Sequence, residues 1–280
     1  MNPIRLGRIG YLNVLPIYHP LESGLIGNDC EVVSGPPSEL NILMDEGKLD
    51  ISAASSVEYA RHADKYYLVP DIAIGSRGPV QSVLLLSRCP ARELDGKSIL
   101  VSAQTHTSAT LLRVLQAELW HVETGYATGN ATAILEQGGL PDAILAIGDE
   151  ALNLRHHPAY PHRIDLGEAW RELTGLPFIF GVWIVQREIW NTDRERLSRA
   201  AQGLLEGKKW GIGHMDRVCA MATEESCLSE EEMRSYFQGL VYEFGDAEQQ
   251  GLLTFFNRLK DHGLIYRVPE LRFLPTDAPA

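Results

Sequence analysis

Short apolar runs alternate with helix-patterned stretches over the first two thirds of this chain, and strands then become scarce. That order constrains the fold more than any other feature. Wholly apolar or alternating runs predict strands over Ile4–Ile9, 31–33, 50–54, 67–74, 82–86, Ser98–Val101, Ala143–Ile147 and 178–185, the last interrupted by Gly181. Helical periodicity predicts helices over 37–46, with Ser38 as its cap, over 57–61 and over 108–120. The remaining chain is helical by period over 193–210, 229–239 and 247–262. Strands alternating with helices make βαβ units, so the fold class is α/β with mainly parallel sheets. In such sheets ligands bind beyond the carboxyl ends of the strands.

The stretch 88–97 carries proline and charge between two apolar strands and reads as a crossing between lobes, with 187–194 as the return. Two crossings predict two lobes, 1–87 with 188–280 and 88–187, and a ligand cleft between them. No internal repeat or low-complexity segment is present, and the ends, 1–3 and 275–280, are expected to fray.

Charge narrows the function. Asp and Glu number 37 against 25 Lys and Arg, a formal net charge of −12 on 280 residues. Nucleic acids and anionic lipid surfaces are bound mainly through lysine and arginine, so neither is an expected partner. A small anion is still open, because one pocket can be positive on a negative protein. The four cysteines, Cys30, Cys89, Cys219 and Cys227, form no CxxC pair and read as reduced thiols. No window approaches the roughly 18 apolar residues of a membrane span. Glycine, asparagine and proline break up the apolar stretches of the first 20 residues, unlike a secretory leader, so the expected location is the cytoplasm. No HExxH, GxSxG or GxGxxG is present, and no His/Asp set has metal spacing, so no metal or cofactor is expected. The oligomeric state is left open.

Several stretches sit where strands run into helices. Asn13, in 10–16 after the first strand, offers a donor and an acceptor to a cleft, or simply forms a turn. Ser55 and Ser56 precede a helix, where hydroxyls and free N–H groups either hold a carboxylate or cap the helix. Ser82 opens an apolar strand, and Arg77 in the loop before it is either a carboxylate fork or solvated. The hydroxyl-rich loop 102–108, containing His106, Thr107 and Ser108, is the most site-like stretch and resembles a neutral anion cradle. Gly148 and Asp149 end a buried strand, so they belong either to the ligand or to a helix cap.

The motifs GYLNVLP, PSELN with GKLDIS, SSVEYA, GPVQSVLLLS, THTS, AILAIGDEAL and LPFIFGVW occur in this order. Each is weak alone, but the ordered set, from about residue 4 to 190, resembles the MqnA family, the chorismate dehydratases of the futalosine pathway of menaquinone biosynthesis. The resemblance implies a two-lobed fold like the type II periplasmic binding proteins, with two crossings. It implies a hydro-lyase that removes water from chorismate to give 3-[(1-carboxyvinyl)oxy]benzoate, without a cofactor. Asn13 and Ser82 match the family's active-site asparagine and serine, assigned here to the enolpyruvyl carboxylate. Thr107, Ser108 and adjacent N–H groups would hold the other carboxylate, and Ser55, Ser56, Gly148 and Asp149 complete the expected binding set. Apart from Asp149 and His106 these motifs contain no obvious base, so the substrate's own enolpyruvyl carboxylate is the expected proton acceptor, held in place by orientation. The alternatives are a small-anion binding protein of the same fold and an MqnD-like 1,4-dihydroxy-6-naphthoate synthase.

Overall fold

The computed structural model describes residues 3–27, 29–102 and 105–275. Ala103 and Gln104 of the hydroxyl-rich loop, and the outermost residues of both ends, lie outside the described residues.

In chain order the first elements are β1 (Ile4–Ile9), α1 (Leu15–Glu22), β2 (Cys30–Gly35), α2 (Pro37–Asp45), β3 (Ile51–Ser55), α3 (Ser56–His62) and β4 (Tyr66–Ser76). Then follow β5 (Val83–Ser87), β6 (Ser98–Val101), α4 (Thr107–Leu115), β7 (Gly125–Thr128), α5 (Ala131–Glu136), β8 (Ala143–Ile147), α6 (Gly148–Leu154), β9 (His162–Asp165) and α7 (Leu166–Thr174). The last are β10 (Phe178–Gln186), α8 (Arg187–Thr192), α9 (Arg194–Gly213), α10 (Met215–Glu224), α11 (Glu230–Gly239) and α12 (Asp246–Asp261).

Two five-stranded sheets share one plan. The first runs β2-β1-β3-β10-β4 and the second β7-β6-β8-β5-β9. Within each, three strands pair in parallel: Ile4 faces Cys30 and Leu6 faces Ile51 in the first, and Ile99 faces Tyr126 and Ala143 in the second. The strand arriving from the other lobe then inserts antiparallel, β10 between β3 and β4, β5 between β8 and β9. The sheets are therefore mixed, not mainly parallel. Each delivered strand runs opposite to the neighbours it joins, so the mixed sense follows from the two crossings.

The same pairing moves the expected crossings. Val83–Ser87 belongs to the second sheet and Phe178–Gln186 to the first, so the chain crosses through 77–82 and returns through α7 and 175–177. The proline-bearing stretch 88–97 is instead a surface link from β5 to β6, with a 3-10 turn at Ala91–Glu93. Stretch 187–194 forms α8 and leads into α9. Prolines and charges mark solvent exposure, which a loop within a lobe shares with a link between lobes.

Packing follows the side-chain alternation of the strands. On β5, Val83 and Leu85 enter the main core, while Leu84 and Leu86 join a smaller cluster with Ile144, Ala146 and Tyr160 on the other face. The main core continues from one sheet to the other. At the return crossing Trp170, Phe178 and Phe255 pack edge to face with ring centroids 4.8–5.8 Å apart, and Trp170 Nε1 donates to Pro177 O at 3.1 Å.

The tail helices belong to the first lobe. α9 lies along α1 on a stripe of Gly203, Gly207 and Gly211. A methyl at Gly207 would stand 2.3 Å from the Ile17 carbonyl oxygen, and one at Gly211 2.3 Å from that of Pro16, so the two backbones approach as only glycine allows. This contact holds α1 and the turn before it. Below it Tyr18, fully buried, donates to Gly7 O at 2.7 Å and accepts from Trp183 Nε1 at 3.0 Å.

Three local expectations change. Pro36, not Ser38, occupies the cap position of α2. The helix expected over 108–120 ends at Leu115 and continues as one π turn, Gln116–Trp120, closed by left-handed His121 (φ 56°). The short elements β7, α5, β9 and α8 carry too few periodic residues to be read in advance, whereas α1, α7 and α10 were not predicted although α7 has apolar Leu166, Ala169, Trp170 and Leu173 at helical spacing.

Candidate functional site

Where the two sheets face each other, the carboxyl ends of β1, β3 and β8 and the loop before β5 enclose a cavity. Its empty volume is about 690 Å³ counted to its open mouth, and a cleft between lobes is a favoured place for a small-molecule site.

From the first lobe, Asn13 stands on the 3-10 turn Leu12–Val14 and lines the cavity. Its backbone carbonyl accepts from the Tyr242 hydroxyl at 2.9 Å, which ties the turn to the tail. Its side-chain oxygen is buried and has no hydrogen-bond partner within the protein. A buried amide left unpaired is costly, so the group is suited to a ligand. Ser55 also lines the cavity, but its hydroxyl caps α3 by accepting from Glu58 N at 3.3 Å. Both the binding and the capping readings of Ser55 therefore describe its position.

From the second lobe, Thr105, His106, Thr107 and Ser108 line the opposite wall at the start of α4. Thr107 Oγ1 reaches across the cleft, accepting from Val57 N at 3.2 Å and lying 3.4 Å from Ser56 Oγ. Ser56 is fully buried behind the wall, so its part is to position Thr107. This contact holds the lobes together at the cavity.

Ser82 closes the floor on the crossing itself. It is 3% exposed, and its hydroxyl lies 3.5 Å from Val80 O and beside the buried Tyr236 hydroxyl. Its carbonyl accepts from Gly148 N at 2.7 Å. The loop before it is pinned by Asp165. Oδ1 of that carboxylate accepts from Val80 N at 3.0 Å, Gly167 N at 2.9 Å and Glu168 N at 3.2 Å, and Oδ2 accepts from Gln81 N at 2.6 Å. One side chain thus caps α7 on the return crossing and holds the outward crossing. Gln81 sits in a left-handed conformation (φ 61°), and its side chain donates to Ser235 O at 2.9 Å.

Gly148 lines the cavity in the left-handed region (φ 57°). Asp149 does not line it. It faces a neighbouring cavity and accepts, at 3.4 Å, from Leu12 N across the cleft. Burial pushes its carboxyl above the ordinary aspartate range. Arg77 is also elsewhere: it pairs with buried Glu248 at 2.9 Å and is not among the lining residues.

The wall contains no Asp, Glu, Lys or Arg among the described lining residues. Its polar groups are an amide, hydroxyls, one imidazole and one phenol, with N–H groups at the start of α4. Such a set can hold carboxylates through neutral donors and the positive end of a helix. His106 and Tyr11 are its titratable side chains. Burial, with Asp149 and Glu150 close by, pushes the Tyr11 phenol up to about 12, so it is a donor and not a base at neutral pH. Sequence reasoning did not find the apolar walls, Ile9, Ile74, Val80 and Phe180, nor singled out Tyr11. Their only signal was membership of stretches already marked. Among the described residues no three His, Cys, Asp or Glu side chains stand together as a metal site.

A chorismate dehydratase of Thermus thermophilus is 28% identical over 275 residues, 91% of this chain and 94% of that protein. A chorismate dehydratase of Campylobacter jejuni is 32% identical over 62% of this chain and 64% of that protein. A 1,4-dihydroxy-6-naphtoate synthase of Thermus thermophilus is 26% identical over 98% of this chain and all of that protein. Among solved structures, protein AF1704 of Archaeoglobus fulgidus aligns with a TM-score of 0.76 at 19% identity, over 94% of this chain and 98% of that one. A Candida albicans protein described as having the generic periplasmic binding protein fold aligns at 0.73 and 11% identity, over 100% and 99%. These likenesses place the fold among the two-lobed periplasmic-binding-protein-like structures. The model of the menaquinone biosynthesis family matches residues 4–261, and the chain belongs to that family.

Proposed function

We propose that this protein is a chorismate dehydratase, a hydro-lyase that converts chorismate to 3-[(1-carboxyvinyl)oxy]benzoate and water in menaquinone biosynthesis. The observation that carries the reading is a cleft with neutral donors on both walls and no carboxylate or ammonium among its described lining residues. The named relatives support the same activity.

Chorismate has two carboxylates, a ring C–H and a ring hydroxyl. The Asn13 amide and the Ser82 hydroxyl orient the enolpyruvyl carboxylate. Thr107, Ser108 and the N–H groups of α4 hold the ring carboxylate. The enolpyruvyl carboxylate takes the ring proton, the C–H electron pair forms the new double bond as the C–O bond breaks, and the carboxyl group passes that proton to the departing hydroxyl, which leaves as water. Aromatisation drives the step, so the protein's task is orientation and exclusion of water. Closure of the lobes through Thr107 supplies the exclusion. Asp149, outside the cavity, is a positioning group, which leaves His106 as the one side chain in the wall that competes for the role of base. We further assign the protein to the cytoplasm, where a pathway enzyme would meet its substrate.

The test is incubation of purified protein with chorismate, followed by product mass and absorbance. Asn13→Ala is expected to lose turnover, while His106→Ala and Asp149→Asn retain it. Loss of turnover in either of the last two, with chorismate still bound, would replace the substrate carboxylate by a protein base. A second reading, a 1,4-dihydroxy-6-naphthoate synthase, has the support of two more distant relatives and predicts no reaction with chorismate.

A further inference from the structure

A second cavity adjoins the first. Its empty volume is about 890 Å³ to its mouth, and Ser102, Thr128, Asn130, Asp149 and Glu150 supply its polar wall. Tyr11 and Ile147 line both spaces. Between them the Tyr11 ring lies on Gly148: a methyl built on that glycine would stand 2.8 Å from the ring. A left-handed residue without a side chain is what lets the ring lie so close. Tyr11 comes from the loop after β1 and Gly148 from the end of β8, so the partition forms only when the two lobes meet.

The two spaces differ in character. Among its described lining residues the first holds no charged carboxylate, whereas the second carries Asp149 and Glu150. Glu150 Oε1 also accepts from Thr132 at 3.3 Å, which keeps its charge at that wall. An anion extended past Tyr11 would meet like charge.

We propose that Tyr11 is a specificity-determining residue, a ring seated on Gly148 that limits the length of the ligand and shuts a dianion off from the acidic cavity beyond. This rests on the chorismate reading of the main cavity and adds the size limit to it. Removal of the ring joins the two spaces and admits ligands with a neutral or cationic extension in preference to an anionic one. The chemistry of the second wall sets that order: hydroxyls, an amide and two carboxylates accept hydroxyl and ammonium donors.

The experiment is calorimetric binding of 3-[(1-carboxyvinyl)oxy]benzoate and of derivatives bearing a hydroxyethyl, aminoethyl or carboxyethyl arm at each free ring position. In the wild-type protein every arm is expected to weaken binding about tenfold or more, the usual result of overfilling a close-packed wall. In Tyr11→Ala the penalty at one ring position at least falls to within about threefold of the unarmed compound, aminoethyl and hydroxyethyl ahead of carboxyethyl. Tyr11→Phe keeps the ring and the wild-type penalty. Tyr11→Leu, which leaves a smaller plug, gives an intermediate penalty and carries the test if the alanine variant does not fold. Normal binding of the unarmed benzoate with the same arm penalty in wild type, Ala and Leu overturns the partition alone. An arm order led by carboxyethyl does so too. Failure of the unarmed benzoate to bind the wild-type protein overturns the substrate reading and this inference with it.

Discussion

Asp165 joins both crossings through one carboxylate, and its replacement separates two contributions that usually travel together. In Asp165→Asn the amide oxygen can keep the Oδ1 bonds to Val80, Gly167 and Glu168. Asparagine is as good a cap as aspartate, so α7 loses little. The amide nitrogen, however, replaces the oxygen that accepts from Gln81 N at 2.6 Å, and sets a donor against a donor. Leaving that N–H unpaired costs about 1–3 kcal/mol. Gln81 is already left-handed, a conformation costing about 1 kcal/mol in a residue with a side chain, so the loop has a ready route to relax. In Asp165→Ala the cap is lost as well, about 1 kcal/mol, and Val80 N is also unpaired at about 1–3 kcal/mol, for a total of about 3–7 kcal/mol. Urea denaturation of the three proteins measures these differences. Because Ser82 follows Gln81 directly, the Asn variant should also lose kcat more than it raises KM for chorismate. If Asp165→Asn stays within about 0.5 kcal/mol of wild type, the range of a neutral surface change, and turns over normally, the carboxylate does not hold the crossing.

Other predictions follow from close approaches and buried groups. Gly207→Ala places a methyl 2.3 Å from the Ile17 carbonyl oxygen and should cost about 3 kcal/mol. Gly203→Ala meets Leu21 at an ordinary 3.5 Å and should be neutral or stabilising by up to about 1 kcal/mol, as thermal unfolding of the pair would show. Gly148→Ala strains a φ of 57° and pushes against Tyr11, and should lower both stability and affinity for 3-[(1-carboxyvinyl)oxy]benzoate, measured by calorimetry. Burial raises the Asp149 carboxyl above its ordinary value of 3.8. The unfolded chain therefore ionises first as pH rises, and wild-type stability falls through the raised value. Asp149→Asn lacks that loss, so its stability relative to wild type should improve from acid to neutral pH, read by denaturation at several pH values.

Much of the site was legible because its residues sit where strands hand over to helices, and sequence periodicity locates those junctions. Asn13, Ser55, Ser82, Thr107, Ser108 and Gly148 all line one cavity for that reason. Ser56 and Asp149 come from the same junctions but face away from it, and a one-residue offset after a strand is enough to reverse a side chain. The lobe boundaries were not legible. The strands Val83–Ser87 and Phe178–Gln186 are apolar on both faces, so nothing local says which sheet receives them. Their partners are distant in sequence, and register across such distances is set by tertiary packing. Tyr11 escaped notice because its role depends on a glycine on the opposite lobe.

The central place of β10 in the first sheet has a consequence for how the chain acquires its structure. The second sheet draws on one continuous stretch, residues 83–165, and can assemble as soon as that stretch is available. The first sheet keeps a gap between β3 and β4 until Phe178–Gln186 arrives, with Ile51–Ser55 exposed along one edge in the meantime. During synthesis the amino-terminal lobe is therefore the later of the two to be completed, and its open edge is where premature association with another nascent chain would begin.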